Sequence, residues 1–373
     1  MRMWLRHHIS RGRLSKRVNG CLWQLLEMSA ECSKANQLMR NTSRTQRFSR
    51  SSVTDRKQVG TAKANPGEID VGTLCVGEAR DGSPVELPVV VINGTESGKT
   101  LYIQAASDGD ELNGVGVVHQ LVPQLDPSKL SGAIMIVGIV NYYGFQVAEH
   151  RNPIDDTKIN RAYRGNEAGS SSERIAYATY DIASNADLIL DLHQASTSKM
   201  VHETRVRCGS KHRLHDQCLK LARAFGCGHI MDKKGPRGQL ARVAPNDGIP
   251  TIDPELGGAV GWDKESIRVG VEGVFNVLQT YDFLTGQSET KPQVRANDMH
   301  YYSAPAGGLV QFEKELGQRV SRRETLFTVT DLFGAPKEEV VADESGIFWR
   351  CRRLPQVASG EYVCSVGTNI DEY

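Results

Sequence analysis

The chain has 373 residues, 39% of them hydrophobic and 24% charged, with 45 Lys and Arg against 44 Asp and Glu. This composition excludes a disordered or fibrous chain, and a net charge of +1 removes any general argument for a nucleic-acid partner. No stretch offers the roughly 20 uninterrupted apolar residues of a membrane span, and the eight cysteines are scattered without a C-x-x-C pair, as expected of a cytoplasmic protein in a reducing compartment.

Positive charge is concentrated at the start, where Arg2, Arg6, Arg11, Arg13, Lys16, Arg17, Lys34, Arg40, Arg44, Arg47, Arg50, Arg56 and Lys57 face only Glu27, Glu31 and Asp55. An Arg- and Ser-rich, acid-poor leader fits an organellar transit peptide or a disordered tail, and composition favours the tail for residues 1–65. From Pro66 the pattern changes to short apolar runs alternating with amphipathic segments. Residues 86–92 and 100–105 read as strands, and Leu112, Val115, Val118 and Val122 follow at helical spacing. The β-branched run 133–137 predicts a buried strand, 172–183 a helix, 186–192 a strand and 249–256 another. Two further helices carry the apolar stripes Leu214, Cys218, Leu221, Ala222, Phe225 and Ile267, Val271, Val274, Phe275, Leu278. Gly226 is a natural stop for the first. Strands separated by helices imply crossover connections, hence an α/β domain over 66–296 with a mixed, largely parallel sheet flanked by helices.

Beyond residue 296 the helical pattern gives way to Gly-punctuated β runs, which define a small C-terminal all-β sandwich or barrel over 297–373. Gly308-Leu309, Leu316, Val320 and Val329 align with Gly346-Ile347, Leu354, Val357 and Val366, an internal duplication at an offset of 38 then 37 residues. Duplicated β units of this size include acyl-carrying domains modified on a hairpin lysine, for which Lys337 is the one candidate, without the flanking pattern of those carriers.

Four clusters carry chemistry, all at strand ends of the α/β domain, where open sheets bind ligands. Asp108 and Glu111, three apart after the 100–105 strand, can reach one metal ion; they can equally be a turn residue and a first-turn helix acid. His193 follows the buried strand ending Leu190-Asp191-Leu192 and reads as a metal ligand, a base or a satisfied core histidine. Arg151 with Asn160-Arg161 makes a carboxylate-recognition set or a solvated basic loop. Glu255, followed by Gly257 and Gly258, is a site carboxylate or a strand-terminating surface residue.

The order of these motifs resembles the succinylglutamate desuccinylase/aspartoacylase family, zinc-dependent deacylases related to the zinc carboxypeptidases. The matching stretches are Asp108-Gly109-Asp110-Glu111, Arg151 through Asn160-Arg161, Asp191-Leu192-His193 and Pro254-Glu255-Leu256-Gly257-Gly258. The resemblance covers roughly residues 70–370 and implies a carboxypeptidase-like fold with a C-terminal β domain. It implies that Asp108, Glu111 and His193 hold one zinc ion per chain and that Glu255 is the general base on its bound water. Arg151 would polarise the scissile carbonyl and meet the oxyanion, while Asn160 and Arg161 would bind the substrate carboxylate. The implied reaction is hydrolysis of the amide of an N-acyl amino acid or a related small carboxylate-bearing amide, by a chain that leaves room for self-association into a homo-oligomer.

One departure matters, because Asp108 stands where the family has its first His ligand. An Asp δ oxygen is as many bonds from the backbone as a His δ nitrogen, so a metal site can survive. Its harder oxygen makes manganese or iron more plausible beside zinc. The alternative is a catalytically degenerate member of the same fold that binds a small molecule without turning it over.

Overall fold

The computed structural model describes residues 55–258, 261–289 and 291–372, so most of the basic leader lies outside the described residues. Strands begin inside the span that composition assigned to the tail: β1 (Lys57–Val59) and β2 (Ala62–Ala64) pair antiparallel, with Val59, Ala62 and Ala64 buried. Three-residue strands are too short to register as a pattern beside so many charges. Two longer strands follow, β3 (Glu68–Glu78) and β4 (Pro84–Asn93). Within residues 75–86 the chain turns on an Ala79 N–H bond to the Ser83 carbonyl and a Ser83 N–H bond to Asp81 Oδ1.

The α/β portion runs β5 (Glu96–Ala105), α1 (Asn113–Leu121), β6 (Ser131–Val137), α2 (Tyr142–Val147), α3 (Ser171–Ala183), β7 (Leu188–Ala195), β8 (Ser198–Met200), β9 (Glu203–Val206), α4 (His215–Phe225), β10 (His229–Asp232), α5 (Leu240–Val243), β11 (Thr251–Gly258) and α6 (Lys264–Thr280). The strands lie in the order β10-β9-β11-β7-β5-β6-β4. Neighbours from β11 through β7 and β5 to β6 are parallel, as the crossover helices require, whereas β4 on β6 and β9 on β11 are antiparallel. Every residue of β7 is buried, the signature of a strand covered on both faces. Leu190, Leu192, Ile252 and Leu256 of these strands pack with Val117 and Leu121 of α1, Ile267, Val271 and Val274 of α6, and Cys218, Leu221 and Phe225 of α4. Each such side chain contributes about 1.5–3 kcal/mol on burial, which is what lets the same strands carry buried carboxylates at their ends. The predicted helices and long strands thus appear with shifted ends, while β9 and β10, four residues each and interrupted by charge, carry no readable periodicity.

The remaining strands are β12 (Val294–Ser303), β13 (Gly308–Phe312), β14 (Arg319–Val320), β15 (Thr325–Thr330), β16 (Pro336–Val341), β17 (Gly346–Arg352), β18 (Gln356–Val357) and β19 (Tyr362–Glu372). Strand β12 pairs parallel to β10 and antiparallel to β19, so the central sheet continues into the C-terminal β region. The duplication is visible in the register. Gly308 faces Val357 between β13 and β18, and the equivalent Gly346 faces Val320 between β17 and β14, so each repeat lends its short strand to the other. Lys337 is exposed, with its Nζ donating to the Gly307 carbonyl.

Among the described residues no helix is long and apolar enough to cross a membrane. Cys208, Cys218, Cys227, Cys351 and Cys364 are free thiols, but Cys75 is disulfide-bonded, a crosslink that the scattered spacing conceals.

Candidate active site

Strands β5, β7 and β11 end together, and the residues just past or near those ends converge. Ala106, the first residue after β5, takes a positive φ of 50°, a conformation that β-carbon-bearing residues seldom adopt, and this turns Ser107 and Asp108 inward. Neither Asp108 nor Asp110 caps α1: the N-cap position is Leu112, without a side-chain cap bond, and the first turn holds no acid. The cap part of that reading fails, while the turn part holds, with Glu111 N donating to the Asp108 carbonyl at 3.2 Å. His193 lies within β7 rather than beyond its end.

Asp108, Glu111 and His193 are buried, and each offers one ligand atom within 4.8 Å of the others. His193 Nδ1 lies 2.8 Å from Glu111 Oε2 and 3.7 Å from Asp108 Oδ2. The other ring nitrogen, Nε2, faces Asp191 Oδ2 at 3.2 Å, the Asn160 amide at 3.0 Å and Ser107 Oγ at 3.3 Å. Asp191 is itself held by Gln104, whose amide donates to Oδ1 at 2.8 Å.

The electrostatics are those of a group short of positive charge. Burial, then the neighbouring Asp108, pushes Glu111 up to about 7 against the pull of His193. Burial likewise raises Asp108, although His193, His150, Lys158 and Arg161 act to lower it. Burial opposes a charge on His193, yet Asp191, Asp253 and Glu111 outweigh it and hold the imidazole well above its usual range. Asp108 Oδ1 is buried without a hydrogen-bond partner. Two carboxylates and an imidazole converging in a buried place, one oxygen of them orphaned, fit a divalent cation.

Glu255 is opposite His193 in the parallel register of β7 and β11 and opposite Glu203 in the antiparallel register of β9 and β11. The Arg205 guanidinium lies between the two acids, with Nε 2.5 Å from Glu203 Oε1 and Nη1 against Glu255 Oε1. Trp349 of β17 donates its indole N–H to Glu203 Oε2, so a C-terminal strand reaches the same network. Arg207 is buried 3.6 Å from Asp253 Oδ2, and Gln239 donates to that carboxylate at 2.7 Å. Trp349→Phe would leave a Glu203 oxygen without its donor, and we expect it to lower stability by about 1–3 kcal/mol in a denaturant titration; an unchanged midpoint would show that the indole contributes nothing.

His150, from the loop after α2, joins the acids past β5, with Nδ1 2.9 Å from Asp110 Oδ1 and 3.0 Å from Ser196 Oγ. Together with Arg205, Glu203, Arg207 and Asp253, it was invisible as a site residue in the sequence. A lone His in a turn-rich loop, charges on or just past a four-residue strand and an acid inside β11 give no signal until the sheet order brings them together.

Of the residues assigned to substrate, Asn160 is buried against His193, while Arg161 is exposed with its guanidinium on the Asn160 carbonyl. Arg151 is exposed and donates to the Asp156 carbonyl at 2.6 Å; the structure does not bring it into contact with Asp108, Glu111, His193 or Glu255.

The loop carrying these acids packs flush against α2. A β-carbon at Gly109 would sit 2.3 Å from the Gly144 carbonyl carbon, 2.5 Å from Phe145 N and 2.6 Å from Glu149 O, all backbone atoms that cannot move aside singly. Gly109→Ala is therefore expected to cost about 1–3 kcal/mol, the usual range for overpacking, and to weaken metal uptake. Urea denaturation beside metal analysis checks it, and full stability in the variant would contradict this packing.

The sequence profile of the succinylglutamate desuccinylase/aspartoacylase catalytic domain matches residues 97–281. An N-alpha-acetyl-L-2,4-diaminobutyric acid deacetylase from Halomonas elongata is 26% identical over 287 residues, covering 73% of this chain and 82% of that protein. Two solved structures share the fold over 86% of this chain. One, a succinylglutamate desuccinylase/aspartoacylase from Rhodobacter sphaeroides, has a TM-score of 0.73 at 24% identity over 97% of its own chain. The other, the product-bound ectoine utilization protein EutE (DoeB) from Ruegeria pomeroyi, has a TM-score of 0.74 at 22% identity over 100% of its own chain. On this profile match, with the deacetylase relative beside it and the fold shared with the solved structures, the chain belongs to the succinylglutamate desuccinylase/aspartoacylase family.

Proposed function

We propose that the chain is a metal-dependent amide hydrolase that removes the acyl group from an N-acyl amino acid or a related small carboxylate-bearing amide. The observation that carries the reading is the placement of Glu255 in register with His193, beside the buried Asp108-Glu111-His193 group. A divalent ion held by those three residues, zinc first and manganese or iron next, would supply Lewis acidity toward the amide and favour ionisation of water. Glu255 takes the proton from the attacking water and returns it to the leaving amine. Arg205 is shared between Glu203 and Glu255, so it keeps a counterion when Glu255 turns to the water.

Arg151 is assigned to the carbonyl oxygen and the developing oxyanion. Its present partner is an exposed Asp156, an ion pair of a kind that costs little to exchange for substrate. Arg161 binds the substrate carboxylate, and Asn160, packed on His193, ties that grip to the metal group. The deacetylase relative supports an N-acetylated amino acid as the first compound to test. Five free thiols among the described residues fit a reducing compartment, the cytoplasm, whereas the Cys75 disulfide speaks for an oxidising one.

The test is release of free amine from a panel of N-acetyl and N-succinyl amino acids by the metal-loaded chain, beside elemental analysis for bound zinc, manganese or iron. Turnover lost on chelation and restored by the ion supports the proposal. Stable binding of the panel with no turnover in the loaded protein would replace it with the non-catalytic binding reading.

A further inference from the structure

We propose that His150 is a further ligand of the cation centre, entering through Nε2 beside Asp108, Glu111 and His193; this rests on the reading that the group holds a divalent ion. The ring's other nitrogen is already committed. Nδ1 lies 2.9 Å from Asp110 Oδ1 and 3.0 Å from Ser196 Oγ. An ionised carboxylate only accepts, so Asp110 places the proton of the neutral ring on Nδ1 and leaves the lone pair on Nε2. A carboxylate that holds one ring nitrogen while the other is free is the usual support of a metal-binding histidine.

Nε2 lies 3.3 Å from Asp108 Oδ1, but the two atoms are not aligned as a hydrogen bond, and Asp108 Oδ1 has no other hydrogen-bond partner although it is buried. Two neighbouring ligand atoms on a tetrahedral ion, at about 2.0–2.1 Å from it, lie about 3.3–3.4 Å apart. The Asp108–His150 spacing is that of two donors beside one cation, and His150 stands at the edge of the Asp108-Glu111-His193 group, within 4.8 Å of Asp110 and of the Glu111 that belongs to both. With its proton on Nδ1, the half-buried ring turns a lone pair toward the buried Asp108 oxygen; two such acceptors repel, and a cation relieves them.

The surroundings tie this ring to the established group. Glu111 directs Oε2 to His193 at 2.8 Å and Oε1 toward His150 Nδ1 at 3.8 Å, so one carboxylate lies between both imidazoles. Ser196 Oγ bridges Asp110 at 3.1 Å and Glu111 Oε1 at 3.4 Å. The backbone carbonyl of His150 accepts from Gly109 N at 3.3 Å, which fixes it to the loop that carries Asp108 and Glu111. A neutral imidazole adds a donor without changing the net charge, and two nitrogens with two carboxylate oxygens suit zinc, cobalt, iron or manganese.

Cobalt(II)-substituted protein tests this without any assay of turnover. Each histidine bound to paramagnetic cobalt contributes one strongly shifted, exchangeable imidazole N–H resonance in the proton NMR spectrum. Two such resonances are expected in the wild type and one in His150→Gln, with cobalt still bound but its affinity lowered about ten- to hundredfold, the cost of disturbing a supporting group or more. Asp110→Asn, which keeps the ring but alters the partner of Nδ1, is expected to shift the same resonance without removing it. A single resonance in the wild type, unchanged in His150→Gln, overturns the ligand assignment and leaves His150 as an ion-pair partner of Asp108 and Asp110, with the proposed function intact. A wild-type chain that takes up neither cobalt nor zinc overturns both.

Discussion

Glu255→Gln is expected to lower amide hydrolysis by about a hundredfold or more while leaving bound metal and the fold unchanged, since a general base contributes on that order. The substitution keeps the size and shape of the side chain and removes its basicity. Its local consequence is contained by the neighbourhood. Arg205 is held by Glu203 as well as by Glu255, and burial, which opposes its charge, is outweighed by both acids together with Asp253. Neutralising Glu255 therefore still leaves the buried guanidinium a partner, whereas neutralising Glu203 as well would strand it. Glu255 contributes to the upward push on Glu111, so the two carboxylates share one electrostatic environment. The check is kcat on an N-acyl substrate beside metal content and far-UV circular dichroism. A rate equal to wild type with metal bound would remove Glu255 from proton transfer.

The legible parts of this molecule are those in which one stretch of sequence carries its own signal. The β-branched run of β6 and the Leu-Ile-Leu-Asp-Leu run of β7 are strands whatever surrounds them, and an Asp two residues before a His near a strand end marks the site because both side chains leave the strand on the same face. The repeat was legible for the same reason, since Gly308 and Gly346 recur with their apolar partners and meet equivalent residues across the two short strands. Partnerships between distant segments were not. Nothing near Arg205 announces that β9 will lie antiparallel to β11, and without that register its guanidinium has no reason to meet Glu255. His150 comes to Asp110 from 40 residues away through the turn after α2. The short strands β1 and β2 and the Cys75 disulfide were missed on similar grounds, being decided by contacts rather than by local composition.

Asp108→Ala is expected to weaken metal binding by about a hundredfold or more, because loss of even a supporting group around a metal typically costs ten- to a hundredfold and a ligand atom costs at least as much. The fold should tolerate the change. Asp108 lies in a loop beyond β5 and caps no helix, and its burial is unfavourable for the ionised carboxyl in the absence of a cation, so the metal-free variant should be as stable as metal-free wild type or more so. That combination, weaker metal and an undiminished apo protein, separates a ligand from a structural residue. Asp108→His sharpens the contrast. It retains a donor the same number of bonds from the backbone but raises the net charge of a divalent centre from zero to one positive, given Glu111 and a neutral His193. A more positive centre draws electron density from substrate and water more strongly, so the His variant should keep its metal and stay active to lower pH than wild type. Competition against a chromophoric chelator gives the affinities, and pH-rate profiles of the loaded proteins give the shift. An alanine variant that binds metal as tightly as wild type would exclude Asp108 from the centre, and the histidine variant would then have no reason to move the profile.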